Sequence, residues 1–300
     1  MNDMFDTTPS PTMREGLAQR KRDVVRRCTE AAKTTGHKLM FGMTTSLMLQ
    51  SVPIPSECDL DTAVLHTVSS NKQRRVRKRG IPTQPHVWRP LVDSEPVRIN
   101  RHVYALDLMH TWAQLAMHLP FEELVVLGDA IITASARANG RDAEHIRADL
   151  AAFVTGLAPF RGKRSCIAAC RYIMAGVDSP MESRSRLSLL KHGLPCPQPG
   201  YTVPGAMFAS GTSMMLDMAW PQYRVAVEYD GDQHRTDKAQ WRRDQEKRDR
   251  LQNHGWVLRI ATAATLANAD TRADHAFGVA RQLMLRGARF TFQPVERSLQ

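Results

Sequence analysis

Glu228-Tyr229-Asp230-Gly231-Asp232-Gln233-His234-Arg235 follows directly on Arg224-Val225-Ala226-Val227. The apolar run reads as a strand, and alternation along a strand points Glu228 and Asp230 to one side. Leu216-Asp217-Met218-Ala219-Trp220 reads as a second strand, with Pro221-Gln222-Tyr223 as the turn between them. A hairpin of that length places Asp217 beside Glu228. Three carboxylates then converge at one sheet end, in a chain of formal net charge +11. Such a cluster repels itself unless a cation neutralises it, and oxygen-only donors select hard cations, Mg²⁺ above all and Mn²⁺ next.

The rest of the chain extends this pattern. After Gly193 the period changes: a Pro-rich loop is followed by strands at Tyr201–Val203, Ser213–Ala219 and Tyr223–Tyr229. Gln240–His254 reads as a helix closed by Gly255, Trp256–Ala261 as a strand and Thr271–Leu285 as a helix. Ser179 is an N-cap candidate for a helix over Pro180–His192. Before that boundary come a basic helix at 13–35, a short apolar segment at Gly42–Gln50, and strand candidates at Thr62–Ser69 and Val97–Tyr104. Helices follow at Asp107–Met117, Phe121–Ala138, Asp142–Phe153 and Lys163–Ala175.

The spacing D-x10-E-x-D-x3-H resembles the PD-(D/E)XK nuclease motif, an Asp on one strand and E-x-K on the next. Asp244, Arg248, Asp249, Leu251 and Gly255-Trp256-Val257-Leu258-Arg259 are similar to the downstream pattern of Vsr-like endonuclease-domain proteins, and Ser179–Arg184 resembles the start of their first helix. The likeness runs over about residues 176–287. It implies an α/β fold in which a restriction-endonuclease-like mixed sheet, flanked by helices, occupies residues 176–300. Residues 1–175 form the other expected domain, mostly helical. Met43–Pro55, Thr62–Ser69 and Pro120–Ala130 resemble segments of type IV abortive-infection antitoxins, which implies a winged helix and a DNA-binding or regulatory role.

On this reading the chain is a Mg²⁺- or Mn²⁺-dependent DNA endonuclease. Asp217, Glu228 and Glu182 are the expected metal ligands. Asp230 stands where the motif has Lys, so His234 is the candidate proton carrier, because imidazole titrates near neutrality. Each residue has a plainer reading beside this one. Asp217 is alternatively an exposed strand acid, and Glu182 a first-turn acid complementing its helix dipole. His234 is alternatively a solvated loop residue, and Asp232 a turn former. Arg248 is either a phosphate contact or the i,i+4 partner of Asp244. Trp256 suits a core.

Lys72, Arg74, Arg75, Arg77, Lys78 and Arg79 put six cations in eight residues. They read as a DNA-backbone arm or as a solvated loop, with His86 and Trp88 nearby as stacking groups. Five cysteines without framework spacing, and an acidic, polar N-terminus, point to a reducing cytoplasm. Cys166 and Cys170 read as buried helix cysteines. No apolar run approaches the ~20 residues of a membrane helix. Two competing functions remain: an antitoxin-type DNA-binding regulator on a degenerate nuclease fold, and an RNA-processing nuclease.

Overall fold

Val24, Cys28, Ala31 and Ala32 fall on one stripe of helix α1 (Met13–Thr35) and are buried against Leu39, Phe41 and Val103. That contact covers one face of the first of two mixed sheets in the computed structural model, which describes residues 13–76, 82–231 and 238–300. The protein is α/β, and among the described residues no helix is long and apolar enough to cross a membrane.

The first sheet has the order β3 (Thr83–Val87), β2 (Leu65–Ser69), β1 (Leu39–Phe41), β5 (Val103–Ala105), β4 (Val97–Arg98). Sequence reading expects two strands here, and the sheet has five. Strands of two or three residues carry no readable period, and β3 contains Pro85. The single strand expected over Val97–Tyr104 is a hairpin instead. Asn100 Oδ1 accepts the His102 and Val103 N–H groups, turning β4 back antiparallel to β5. Helix α2 (Met43–Leu49) is buried throughout; its Ser46 hydroxyl donates to Leu106 O and Thr45 Oγ1 accepts from His66 N.

Helices α3 (Leu108–Leu115), α4 (Phe121–Asn139), α5 (Ala143–Gly156) and α6 (Lys163–Ala169) follow. Apolar α4 lies at the centre of the largest core, where Trp112 Nε1 donates to Leu124 O at 2.9 Å. Cys166 is buried there and Cys170 half-buried, and burial pushes both thiols up. Helix α6 is shorter than the expected Lys163–Ala175 because the chain beyond it turns its backbone to other partners. Tyr172 O accepts from Arg186 Nη1 at 2.7 Å, and Met174 N donates to Asp129 Oδ1 at 2.8 Å.

Those bonds belong to a buried hub across residue 176. Arg186 Nη2 and the Ser183 hydroxyl both reach Asp129 Oδ2, at 2.6 and 2.7 Å, on helices α7 (Pro180–Lys191) and α4. Burial pushes the Asp129 carboxyl up, and Arg186, Ser183 and Met174 N oppose that. Nearer solvent, Arg184 grips Glu123 through two bonds of 2.7 and 2.8 Å. Leu187 of α7 also enters the α4 core.

The second sheet has the order β6 (Gln198–Met207), β7 (Ser213–Trp220), β8 (Val225–Tyr229), β9 (Val257–Ala261). The first two pairings are antiparallel and β8–β9 is parallel, as the intervening helix α8 (Lys238–Asn253) requires. Helix α9 (Ala269–Leu285) packs Ala276, Val279 and Leu283 on Val225 and Val227. On the other face Leu251 of α8 meets Trp256, Ala226 and Leu216. The β6–β7 hairpin is fastened to α8 at three points. Arg250 Nη1 donates to Met207 O at 2.6 Å, Ala209 N donates to Glu246 Oε1 at 2.6 Å, and the Arg243 guanidinium lies 4.3 Å from the Phe208 ring centre.

Candidate functional site

Pairing of Met218 with Val227, Ala219 with Ala226 and Trp220 with Val225 sets the β7–β8 register. Continuing it by one rung puts Asp217 opposite Glu228, on one face. The two carboxylates brace each other's backbone. Tyr229 N donates to Asp217 Oδ2 at 2.8 Å, and Asp217 N donates to Glu228 Oε1 at 3.3 Å. The turn that makes this possible is a 3-10 segment over Pro221–Tyr223, closed by Arg224 at φ +49°.

Glu182 approaches from the first turn of α7, where Ser179 is the N-cap and accepts the Glu182 N–H at 3.2 Å. Glu182 Oε2 accepts the Asp178 N–H at 3.0 Å. Burial, then the Asp217 charge, pushes the Glu182 carboxyl up to about 7. The same two causes push Glu228 up to about 7, against the pull of Lys247. Burial also raises Asp217, while the Tyr229 N–H and Lys247 oppose it. Burial of three neighbouring carboxyls, with their mutual repulsion second, is therefore the dominant electrostatic fact of this region.

Lys247 is the partner that sequence reading missed. Its ammonium bonds Glu228 Oε2 directly, from α8 rather than from a strand. One signal for it exists. Leu251 is fully buried, and Lys247 stands four residues before it, on the same helix face. Asp178 was missed as well; it pairs with Arg137 at 2.8 Å, and its charge helps raise both Asp217 and Glu182.

Asp230 sits one residue past the end of β8 and is exposed, its N–H donating to Ala261 O at 2.8 Å. Arg248 is exposed on α8; beside the first sheet Arg74 is exposed and Arg75 half-buried. Asp232, His234, Arg77 and Lys78 lie outside the described residues.

Among the described residues, no three His, Cys, Asp or Glu side chains form a ready-made metal cage. The donors that do meet are the Asp217 and Glu228 carboxylates, with Glu182 close enough to feel the Asp217 charge. Oxygen donors of this kind suit a cation that keeps much of its water, as Mg²⁺ does. Without a cation, Lys247 partly offsets the charge.

No family model matches the chain, and no solved structure matches it. Two proteins of Mycobacterium tuberculosis, from strains CDC 1551 / Oshkosh and ATCC 25618 / H37Rv and both described as uncharacterized, are similar to it. Each is 35% identical over 102 residues, 33% of this chain and 36% of the relative. The chain thus spans about a third of the length of the curated relatives it matches.

Proposed function

We propose that this protein is a divalent-metal-dependent endonuclease hydrolysing phosphodiester bonds in DNA, with an N-terminal half that binds DNA or regulates cleavage. The observation that carries the reading is the facing Asp217–Glu228 pair with a lysine ammonium on Glu228. An acid on each of two adjacent strands, joined by a lysine, is the chemistry that the PD-(D/E)XK likeness implies. Here the lysine comes from α8. The β6–β9 sheet, with its parallel last pair and flanking helices, supports the same reading.

Asp217 and Glu228 would hold Mg²⁺, with Glu182 reaching it through water. When bound, the ion would polarise the phosphate and acidify a water molecule. The chain's own groups account for the rest. Asp217 is locked by the Tyr229 N–H, so its free oxygen faces the site without a search over rotamers. Lys247 stands beside Glu228, where an ammonium can orient the attacking water and offset charge building on the phosphate. The role of His234 in carrying a proton to the leaving oxygen stays part of the proposal.

The second reading is a DNA-binding regulator on a nuclease scaffold. It draws on one observation: Glu228 already has its counter-charge in Lys247. Plasmid cleavage with Mg²⁺, Mn²⁺ and EDTA separates the two. The nuclease reading expects cleavage with metal, none with EDTA, and loss of about 10²-fold or more in Asp217→Asn. Tight DNA binding without cleavage under any divalent metal would establish the regulator instead.

A further inference from the structure

The first sheet carries a second charged site, of the opposite sign. Where β1 begins and β2 ends there is a cavity of about 300 Å³, at the small end for ligand pockets. Lys38, Arg74 and Arg75 line it, with the hydroxyl residues Thr67 and Ser70 and an apolar floor that includes Leu91. Among the described residues no carboxylate lines it. Nor, among those residues, does any of the three cations have a salt-bridge partner. The Arg75 Nε is buried with no hydrogen-bond partner. A buried guanidinium N–H left unmade is costly, and three like charges round one cavity repel, so the arrangement is one that an anion would complete.

The loop is set before any ligand arrives. Asn71 Oδ1 accepts the Arg74 N–H at 3.0 Å, fixing the turn that carries both arginines. The imidazoles behind Arg75 add no charge. His86 bonds His66 at 3.0 Å, and burial, then the charges of His66, His118 and Arg75, pushes it down to about 4. The positive charge facing the cavity is therefore that of the Lys38, Arg74 and Arg75 side chains.

We propose that this cavity binds a phosphate group, presented either by a nucleic-acid strand or by a free nucleotide. Guanidinium forks match phosphate oxygens, and the hydroxyls of Thr67 and Ser70 add neutral donors. The inference stands apart from the carboxylate site and does not require that site to cleave anything.

Inorganic phosphate titrated into the full chain by calorimetry, at low ionic strength, tests it. Wild type should bind, and Lys38→Ala/Arg74→Ala, which removes two exposed cations, should bind at least about tenfold more weakly. Arg75→Gln should weaken binding by a similar factor. Circular dichroism and melting without phosphate establish that each variant is folded, and the exposed pair serves if Arg75→Gln is not. Competition identifies the source. Displacement of phosphate by AMP assigns a free nucleotide; displacement by a 5′-phosphorylated oligonucleotide, with AMP inactive, assigns a nucleic-acid strand. Equal phosphate affinity in wild type and the double variant, or no phosphate binding by wild type, overturns the proposal.

Discussion

Glu182→Gln should stabilise the metal-free protein, and increasingly so as pH rises. Among the described residues Glu182 has no cationic partner of its own; burial and Asp217 hold its carboxyl at about 7. Against an ordinary value near 4.5, ionising it in the folded state costs about 3 kcal/mol at 1.36 kcal/mol per unit. The sign follows from linkage. The folded protein binds this proton more tightly than the unfolded chain, so the stabilising contribution is full below about 4.5 and is lost as pH rises through about 7. Glutamine carries no charge and keeps an oxygen for the Asp178 N–H, so the start of α7 survives. In EDTA at pH 8 the variant should exceed wild type by up to about 3 kcal/mol, and at pH 5 by less than about 1 kcal/mol. Urea unfolding at both values is the assay. A thermal scan at pH 8 should show a gap of up to about 6–12 °C, using roughly 2–4 °C per kcal/mol for larger domains. Parallel stability curves across this range, or a variant less stable than wild type at pH 8, would refute the claim that burial and the Asp217 charge hold the Glu182 carboxyl up.

Mg²⁺ should raise the melting temperature of wild type and leave Asp217→Asn nearly unmoved, with the wild-type effect growing as pH passes about 7 and Glu228 ionises; calorimetric Mn²⁺ affinity unchanged in Asp217→Asn would reject the ligand assignment. Lys247→Met should lower cleavage by about 10²–10⁴-fold, measured with saturating metal, while DNA affinity changes little; near-normal cleavage removes the lysine from the mechanism. Arg186→Met should cost about 3–5 kcal/mol in denaturant unfolding, because it strands Asp129 at 1% exposure; a loss under 1 kcal/mol would show that Asp129 is neutral there. Neutralising Arg74, Arg75, Arg77 and Lys78 should lower the log–log salt slope of duplex binding by roughly 0.9 per lost phosphate contact; an unchanged slope would mean that these cations do not meet DNA.

The Asp217–Glu228 rung is legible in the sequence because both strands have clear alternation and a short turn fixes their register. Helices α4 and α7 are legible for similar reasons: Pro120 and Ser179-Pro180 mark their starts. Lys247 is not legible from motif spacing, since a lysine on a helix reaches the site through three-dimensional packing, nineteen residues from Glu228. Asp230 lies where alternation stops being a guide. Alternation holds only while the strand lasts, and β8 ends at Tyr229 before the chain reaches Gly231. The Asp129–Arg186 bond is invisible too, because a charged residue in the apolar face of α4 reveals a partner's necessity without its address. The short strands β1, β4 and β5 form because neighbours supply their hydrogen bonds, a tertiary cause that local composition does not record.

The three fastenings between the β6–β7 hairpin and α8 turn those elements into a stiff bracket. Arg243, Glu246 and Arg250 grip the hairpin from one stripe of the helix, and Lys247 and Leu251 lie on the adjoining stripe. The exposed turn at Ser210–Thr212 lies just beyond these fastenings, on a hairpin joined to the helix that carries the ammonium on Glu228. A load at that tip, whether from a bound strand or from residues inserted beside Gly211, should pass to α8 through these contacts. Turn length at this outlying corner is thus expected to reach the candidate site through α8.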